Sequence, residues 1–135
     1  MALHLSSNDQ KQLLHWSADA GQNECCGVLR GRDRKVFAVE WAANVAADPS
    51  RNFEIDPAAL IAVHKDVRTG GIPLLGYFHS HPNGLAQPSA SDIAQAAPDG
   101  LIWLIIAGGA VTAWRPIALG AHVKGFTPVP LVVEG

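Results

Sequence analysis

A small set of polar residues in this sequence could form a hydrolytic metal centre. His79 and His81 lie two residues apart at the end of an apolar segment that is predicted to be a strand. Alternate residues of a strand point to the same face, so both imidazoles would leave the sheet together. Two imidazoles on one face are suitable zinc ligands. His79 and His81 are therefore candidate metal ligands.

The remaining parts of such a centre lie on other predicted elements. Asp92, in the first turn of the helix that follows a proline-rich loop, could be the third ligand. Two histidines and a carboxylate leave a fourth tetrahedral position open, as in catalytic zinc sites, and zinc lowers the pKa of water held there to about 7. Glu24, at the start of a predicted buried strand, could accept a proton from that water and deliver it to a leaving amine, and Ser89 could donate a hydrogen bond to an oxyanion.

Each of these residues also has an ordinary structural interpretation. Ser89 and Asp92 have the spacing of a helix capping box, and this role could coexist with a catalytic one. Glu24 could be a charge at the edge of a strand. Cys25 and Cys26 invite a thiolate or metal hypothesis, but at least one is expected to be a small buried hydrophobic residue. The other histidines are expected to be ordinary surface or core residues: His4, His15, His64 and His122.

Taken together, these residues resemble the JAMM motif of the Mov34/MPN/PAD-1 metalloprotease family. That motif is a glutamate in a strand, then His-x-His, seven residues, Ser, two residues and Asp. The matching residues here are Glu24, His79-Ser80-His81, Ser89 and Asp92. The flanks also match: residues 24–31 resemble the family's Glu-x-Cys-Gly-x-Leu-x-Gly strand, and Asn44 followed by residues 53–57 resembles the segment that precedes its second helix.

The resemblance implies one Zn²⁺ per chain, held by His79, His81 and Asp92, with Glu24 as general acid/base and Ser89 as the oxyanion donor. It implies hydrolysis of an amide bond at the C-terminus of a small ubiquitin-like or sulfur-carrier protein. The chain is too short for the inserted loops of the eukaryotic relatives and resembles the stand-alone bacterial branch. It departs from the family where Gln22 and Asn23 replace a proline that often precedes the glutamate.

Capping residues and hydrophobic spacing predict three helices. The first begins at Ser6 or Ser7 and ends near Ala20, the second has Asp56 as its cap and Pro57 as its first residue, and the third begins at Ser89 and ends at Pro98. Strands are predicted at residues 3–5, 24–30, 35–42, 74–79, 101–107 and 110–115, with one or two more between 121 and 133.

Interleaved strands and helices predict an α/β or α+β fold, a curved mixed β-sheet flanked by helices. The resemblance implies the JAMM-type, cytidine-deaminase-like variant of this architecture. At 135 residues, the chain is expected to be a single JAMM/MPN domain spanning residues 1–135.

Charge, hydrophobic runs and cysteine content indicate which classes of partner and which cellular compartment to expect. The net charge of −2 and the absence of a basic stripe give no support for a nucleic-acid partner. No apolar run approaches the length of a membrane span, and the N-terminus lacks a signal-peptide pattern. Two adjacent cysteines indicate a reduced, cytoplasmic protein. Oligomeric state stays open; the apolar tail at residues 126–133 could complete the sheet or pair with a second subunit in a homodimer.

Two other functions compete with a zinc peptidase. An MPN-type scaffold that binds proteins without catalysis is the main alternative, although scaffold relatives have lost the metal ligands and this chain has all of them. A zinc deaminase would need a His-x-Glu motif and a Cys-x-x-Cys pair, and neither is present.

Overall fold

The computed structural model describes residues 1–135 as one mixed β-sheet with three helices. The strands are β1 (Leu3–Ser6), β2 (Cys26–Arg32), β3 (Lys35–Ala42), β4 (Leu74–Ser80), β5 (Ile102–Ala107), β6 (Ala110–Leu119), β7 (His122–Val129) and β8 (Leu131–Glu134). The helices are α1 (Ser7–Ala20), α2 (Pro57–Arg68) and α3 (Ala90–Gln95). No helix combines the length and the apolar composition that crossing a bilayer requires.

The sheet is mixed and strongly curled. Its strand order is β7-β6-β5-β4-β2-β3-β1-β8. β4 and β5 are parallel, and β1 is parallel to both β3 and β8, whereas the other pairs are antiparallel. The two end strands, β7 and β8, are separated in the chain by Pro130 alone, so the sheet must bend until its two edges approach each other. The predicted α+β architecture with a curved mixed sheet is confirmed.

The helices begin where their caps predict, but the third ends early. Ser6 Oγ accepts a hydrogen bond from Asp9 N (3.0 Å), and Asp56 Oδ1 accepts one from Ala58 N (3.0 Å). α3 ends at Gln95 and not at Pro98, because Ala96 already has extended backbone angles (φ −67°, ψ 143°). Proline disfavours the helical conformation of the residue before it, so the last turn cannot form up to Pro98.

Two strands, β2 and β6, differ from their predicted bounds by two or more residues. β2 begins at Cys26, which leaves Glu24 in the segment before the strand. β6 continues to Leu119, beyond the predicted end at Arg115, because it pairs with β7 along its whole second half. The hairpin between β5 and β6 turns at Gly108 and Gly109, which both have positive φ angles (57° and 76°), as a two-residue turn requires.

Adjacent residues of β4 point to opposite faces of the sheet, and this divides the core into two clusters. Phe78 faces the α1 side, where it packs with Leu13 of α1 and Leu104 of β5. His79 faces the side covered by α2, where its ring packs against those of Phe53 and Trp103. The candidate ligand His79 therefore lies on the face covered by α2 and by the long segment that precedes it.

Gly27 allows β2 to lie close to both of its neighbours. A Cβ atom at this position would be 2.0 Å from the carbonyl oxygen of Glu40 and 2.5 Å from the ring of Phe78. Backbone and a fully buried ring cannot move aside at low cost. A glycine is thus required where β2, β3 and β4 meet.

We expect Gly27→Ala to lower the free energy of unfolding by about 2–3 kcal/mol, because the added methyl group must displace strand backbone or Phe78. Chemical denaturation would measure the loss. Gly125→Ala is the matched control, since that glycine is also in a strand and no atom would lie within 4 Å of its Cβ. Equal stability of Gly27→Ala and Gly125→Ala would contradict this description of the sheet.

Candidate metal centre

His79 is held in one orientation by aromatic rings. Its imidazole is fully buried, stacks on Phe53 with ring centroids 4.3 Å apart, and meets the edge of Trp103 at 5.4 Å. Burial lowers the pKa of His79 because the charged imidazolium loses its hydration, which outweighs the opposing effect of Asp92. His79 is therefore held neutral, with a lone pair available as a ligand.

The Nε2 atoms of the two histidines and the carboxylate of Asp92 converge on one point. His79 Nε2 lies 3.0 Å from His81 Nε2 and 3.1 Å from Asp92 Oδ1, and His81 Nε2 lies 3.0 Å from Asp92 Oδ2. One ligand atom from each residue lies within 4.8 Å of the others, and all three residues are buried. The structure thus brings together the three residues that the sequence predicted as metal ligands.

The hydrogen bonding of His81 shows why a cation fits between these side chains. His81 Nδ1 lies 2.8 Å from the carbonyl oxygen of Leu85, so Nδ1 must carry the hydrogen. In neutral His81, Nε2 then has a lone pair that faces the Asp92 carboxylate, and two acceptors would repel each other. A second ring proton or a metal ion at Nε2 relieves this repulsion.

The charge state of Asp92 also suits a metal ligand. Although burial opposes ionisation, the two imidazoles of His79 and His81 that face its oxygen atoms hold the pKa of Asp92 well below its usual range. For His81, the same carboxylate and the Leu85 carbonyl raise the pKa against the effect of burial. Zn²⁺ in proteins binds both carboxylate oxygens and imidazole nitrogens, and this site offers one ionised carboxylate and two imidazoles.

Glu24 lies beside this cluster without belonging to it. The residue is 6% exposed, and its Oε1 atom is buried with no hydrogen-bond partner in the protein. Burial raises the pKa of Glu24 to about 7, His81 opposes the rise and Asp92 adds to it. A carboxyl group with such a pKa can both accept and return a proton near neutral pH.

Ser89 has the capping role that the sequence suggested, and its hydroxyl hydrogen stays free. Ser89 Oγ accepts a hydrogen bond from Asp92 N (3.0 Å), and Ser89 N donates one to Asp92 Oδ2 (2.9 Å). This capping box fixes the direction of the Asp92 carboxylate at the start of α3. The Oγ atom acts as an acceptor here, so its own hydrogen can be donated to another oxygen.

A polar cavity of about 400 Å³ connects these groups to solvent. Glu24, His81 and Ser89 line it together with Arg51, and the other lining residues are polar except Pro82. The sequence did not indicate Arg51, because nothing in the local pattern of the loop shows that it borders the site.

Asn44 holds the loop that carries Phe53 against the segment that carries Glu24. Its Nδ2 donates to the carbonyl oxygens of Glu24 (2.9 Å) and Asn52 (3.0 Å). Its Oδ1 accepts from the backbone of Ala46 and Glu54, both at 3.1 Å. The Asn44 side chain thus uses both donor hydrogens and accepts two bonds, and it fixes Glu24 relative to the ring that stacks on His79.

Ser80 makes a second connection between the two segments. Its Oγ accepts from Cys25 N (2.8 Å), and its own N–H donates to Cys25 O (3.0 Å). Cys25 and Cys26 are buried and free, and burial raises the pKa of both thiols, that of Cys26 to about 12. Neutral buried thiols agree with the packing interpretation of these cysteines and not with a thiolate ligand.

We expect Asn44→Ala to lower the free energy of unfolding by about 3 kcal/mol, because it leaves several partly buried backbone groups without partners. Denaturant unfolding would measure this. Asn83→Ala is the control: Asn83 is exposed and accepts a single hydrogen bond, from Leu85 N. A loss for Asn44→Ala no larger than that for Asn83→Ala would show that Asn44 does not hold this loop.

Known proteins with similar sequences include two desampylases and a probable protease. The chain is 37% identical over 84 residues to a desampylase of Haloferax volcanii, covering 61% of this chain and 60% of that protein. It is 30% identical over 112 residues to a desampylase of Pyrococcus furiosus, covering 82% of this chain and 76% of that protein. A probable TtuB-protein conjugate cleaving protease of Thermus thermophilus is 40% identical over 73 residues, 54% of this chain and 49% of that protein. The match therefore spans less than two thirds of the Haloferax and Thermus proteins.

Solved structures share the fold over nearly the whole chain. The protein DSY2949 of Desulfitobacterium hafniense superimposes with a TM-score of 0.80 at 27% identity, covering 98% of this chain and 92% of that one. A structure described as a JAMM metalloprotease-like zinc site in the proteasome and signalosome covers 98% of this chain and 99% of its own, with a TM-score of 0.56 and 13% identity. At that identity the likeness concerns the fold alone.

The family model of prokaryotic homologs of the JAB domain matches residues 6–117. This range runs from the cap of α1 into β6 and contains every residue of the candidate metal centre. The chain therefore belongs to the family of prokaryotic JAB-domain homologs.

Proposed function

We propose that this protein is a zinc-dependent isopeptidase that hydrolyses the amide bond at the C-terminus of a small ubiquitin-like or sulfur-carrier protein. The observation that carries the proposal is the convergence of His79, His81 and Asp92 on one point beside the buried, unpartnered carboxyl group of Glu24. The proposed unit is one JAMM/MPN domain over residues 1–135 with one Zn²⁺. We place it in the cytoplasm, where its free cysteines would stay reduced.

In the proposed mechanism, each side chain has a separate task. A bound Zn²⁺ would act as a Lewis acid towards water and towards the scissile carbonyl group. Glu24 takes a proton from the attacking water and delivers it to the leaving nitrogen, for which a pKa near 7 is suitable. Ser89 donates its free hydroxyl hydrogen to the carbonyl oxygen as negative charge develops there. The capping box keeps Asp92 and Ser89 in fixed relative positions.

The substrate class rests on the relatives and on the walls of the cavity. Two relatives are named as desampylases and a third as a protease that cleaves TtuB-protein conjugates. The cavity at Glu24 has mainly polar walls, with Pro82 as the exception. A tail of glycine residues exposes backbone amides and no side chains, so polar walls suit it better than apolar ones.

We expect the metal-free protein to bind one Zn²⁺ per chain, and His79→Ala and Asp92→Ala to lose this binding, because each removes one of three protein ligands. Calorimetric titration with zinc after treatment with a chelator would measure stoichiometry and affinity. His64→Ala is the control, since His64 is exposed on α2. Unchanged zinc affinity in both ligand variants, or no zinc uptake by the native chain, would contradict the proposed centre.

We expect Glu24→Gln to lower kcat for cleavage of a ubiquitin-like conjugate by about 10²–10⁴-fold, because the amide cannot transfer the proton. Zinc affinity and the free energy of unfolding should stay close to those of the native chain, since Glu24 is not a ligand and its backbone contacts remain. Mass spectrometry would follow the release of the free carrier. Full activity in Glu24→Gln would remove Glu24 from the mechanism.

A further inference from the structure

The helix that carries Asp92 is too short to fix its own direction. α3 has six residues, and its backbone bonds include Ile93 N to Ser89 O (3.1 Å) and Ala96 N to Asp92 O (3.0 Å). A helix of this length is not stable in water by itself, because few hydrogen bonds offset the cost of ordering its backbone. The capping box fixes Asp92 relative to Ser89, but both residues move with α3. Contacts to the rest of the protein must therefore set the direction of the helix.

Two side chains on one face of α3 supply such contacts. Ser91 and Gln95 lie one helical turn apart and therefore point in similar directions. Ser91 Oγ donates a hydrogen bond to Asn52 Oδ1, and Gln95 Nε2 donates one to the carbonyl oxygen of Phe53 (3.2 Å). Both acceptors belong to the segment between β3 and α2. Ser91 directly precedes Asp92 in the chain, so the bond to Asn52 holds the backbone next to the candidate ligand.

Asn52 and Phe53 are also connected to the other parts of the site. The carbonyl oxygen of Asn52 accepts a hydrogen bond from Asn44 Nδ2 (3.0 Å), and the same Nδ2 donates to the carbonyl oxygen of Glu24 (2.9 Å). The ring of Phe53 stacks on that of His79 with centroids 4.3 Å apart. The segment to which α3 is bonded is therefore the one that contacts both the backbone of Glu24 and the imidazole of His79.

The direction of the Asp92 carboxylate matters more to a metal ion than to the packing of the helix. Asp92 Oδ1 lies 3.1 Å from His79 Nε2, and Oδ2 lies 3.0 Å from His81 Nε2. Zinc–ligand distances are acceptable only within about 0.2 Å of their usual values, so a small rotation of α3 would disturb the carboxylate relative to both imidazoles. Replacing residues that hold metal ligands from outside typically costs about 10–100-fold in metal affinity.

We propose that Ser91 and Asn52 are positioning residues of the metal centre, and that the bond between their side chains sets the direction in which α3 presents Asp92 to the ion. This inference rests on the proposed zinc-dependent function. Neither residue supplies a ligand atom, and both act through the backbone of α3. The capping box sets the carboxylate relative to the helix, whereas the bond between Ser91 and Asn52 sets the helix relative to the segment that holds His79.

We expect Ser91→Ala and Asn52→Ala each to weaken the binding of Zn²⁺ to the metal-free protein by about tenfold, measured by calorimetric titration. Both substitutions break the same bond, so the double variant should bind zinc within about twofold of either single variant. Ser91→Thr retains the hydroxyl group and should restore the native affinity. A bond that only stabilised the fold would affect the metal-free and the zinc-loaded protein equally, and its loss would leave zinc affinity unchanged.

Ser17→Ala is the matched control, because Ser17 is a half-buried serine of α1, the helix on the face of the sheet opposite to His79. Thermal unfolding of the metal-free variants would show that each is folded. If Ser91→Ala and Asn52→Ala bind zinc as tightly as Ser17→Ala does, while Asp92→Ala loses binding, the positioning pair is overturned and the metal centre stands. Additive losses in the double variant would also contradict the pair, since the two residues would then act separately. A native chain that binds no zinc would contradict both proposals.

Discussion

The pairing of β2 with β4 is the constraint on which the candidate site depends. This register places Cys26 opposite His79, so that Glu24 lies next to the histidines although it is 55 positions before the first of them in the chain. Gly27 permits the close approach, because a side chain there would collide with Glu40 and Phe78. Ser80 bonds to both backbone groups of Cys25 and continues the connection past the strand ends. A shift of one residue in this register would turn His79 away from the site.

Around the pairing of β2 with β4, the surroundings of each buried carboxyl group determine whether it is ionised. Asp92 is ionised because two imidazoles face its oxygens, and Glu24 is held near neutrality because it lacks such partners. Two carboxyl groups a short distance apart thus have different pKa values because their surroundings differ. This separation suits a site in which one carboxylate binds a cation and the other moves protons. The hydrogen bonds of the capping box at Ser89 both stabilise the start of α3 and fix the position of the Asp92 carboxylate.

Local sequence signals predicted more of the fold than of the connections within the site. Caps at Ser6, Asp56 and Ser89 and the glycine turn at residues 108–109 depend on neighbours in the chain, and the structure confirms all of them. The predicted end of α3 at Pro98 and the predicted start of β2 at Glu24 were wrong. Proline keeps the residue before it out of the helical conformation, and the pairing of β2 with β3 and β4 begins only at Cys26. Asn44 and Phe53 matched a flank of the motif, but the match did not show that Asn44 bonds to Glu24 or that Phe53 stacks on His79, and Arg51 had no signal at all, because these contacts join separate parts of the chain.

The central claim is that His79, His81 and Asp92 form a metal centre from which the adjacent cysteines are excluded. X-ray absorption at the zinc edge, on protein loaded with one Zn²⁺ per chain, tests it directly. The account predicts nitrogen and oxygen ligands at about 2.0–2.1 Å with the signature of two imidazoles, and loss of this spectrum in Asp92→Ala. A sulfur ligand at about 2.3 Å, which Cys25 or Cys26 would supply, or a spectrum that Asp92→Ala does not alter, would contradict it.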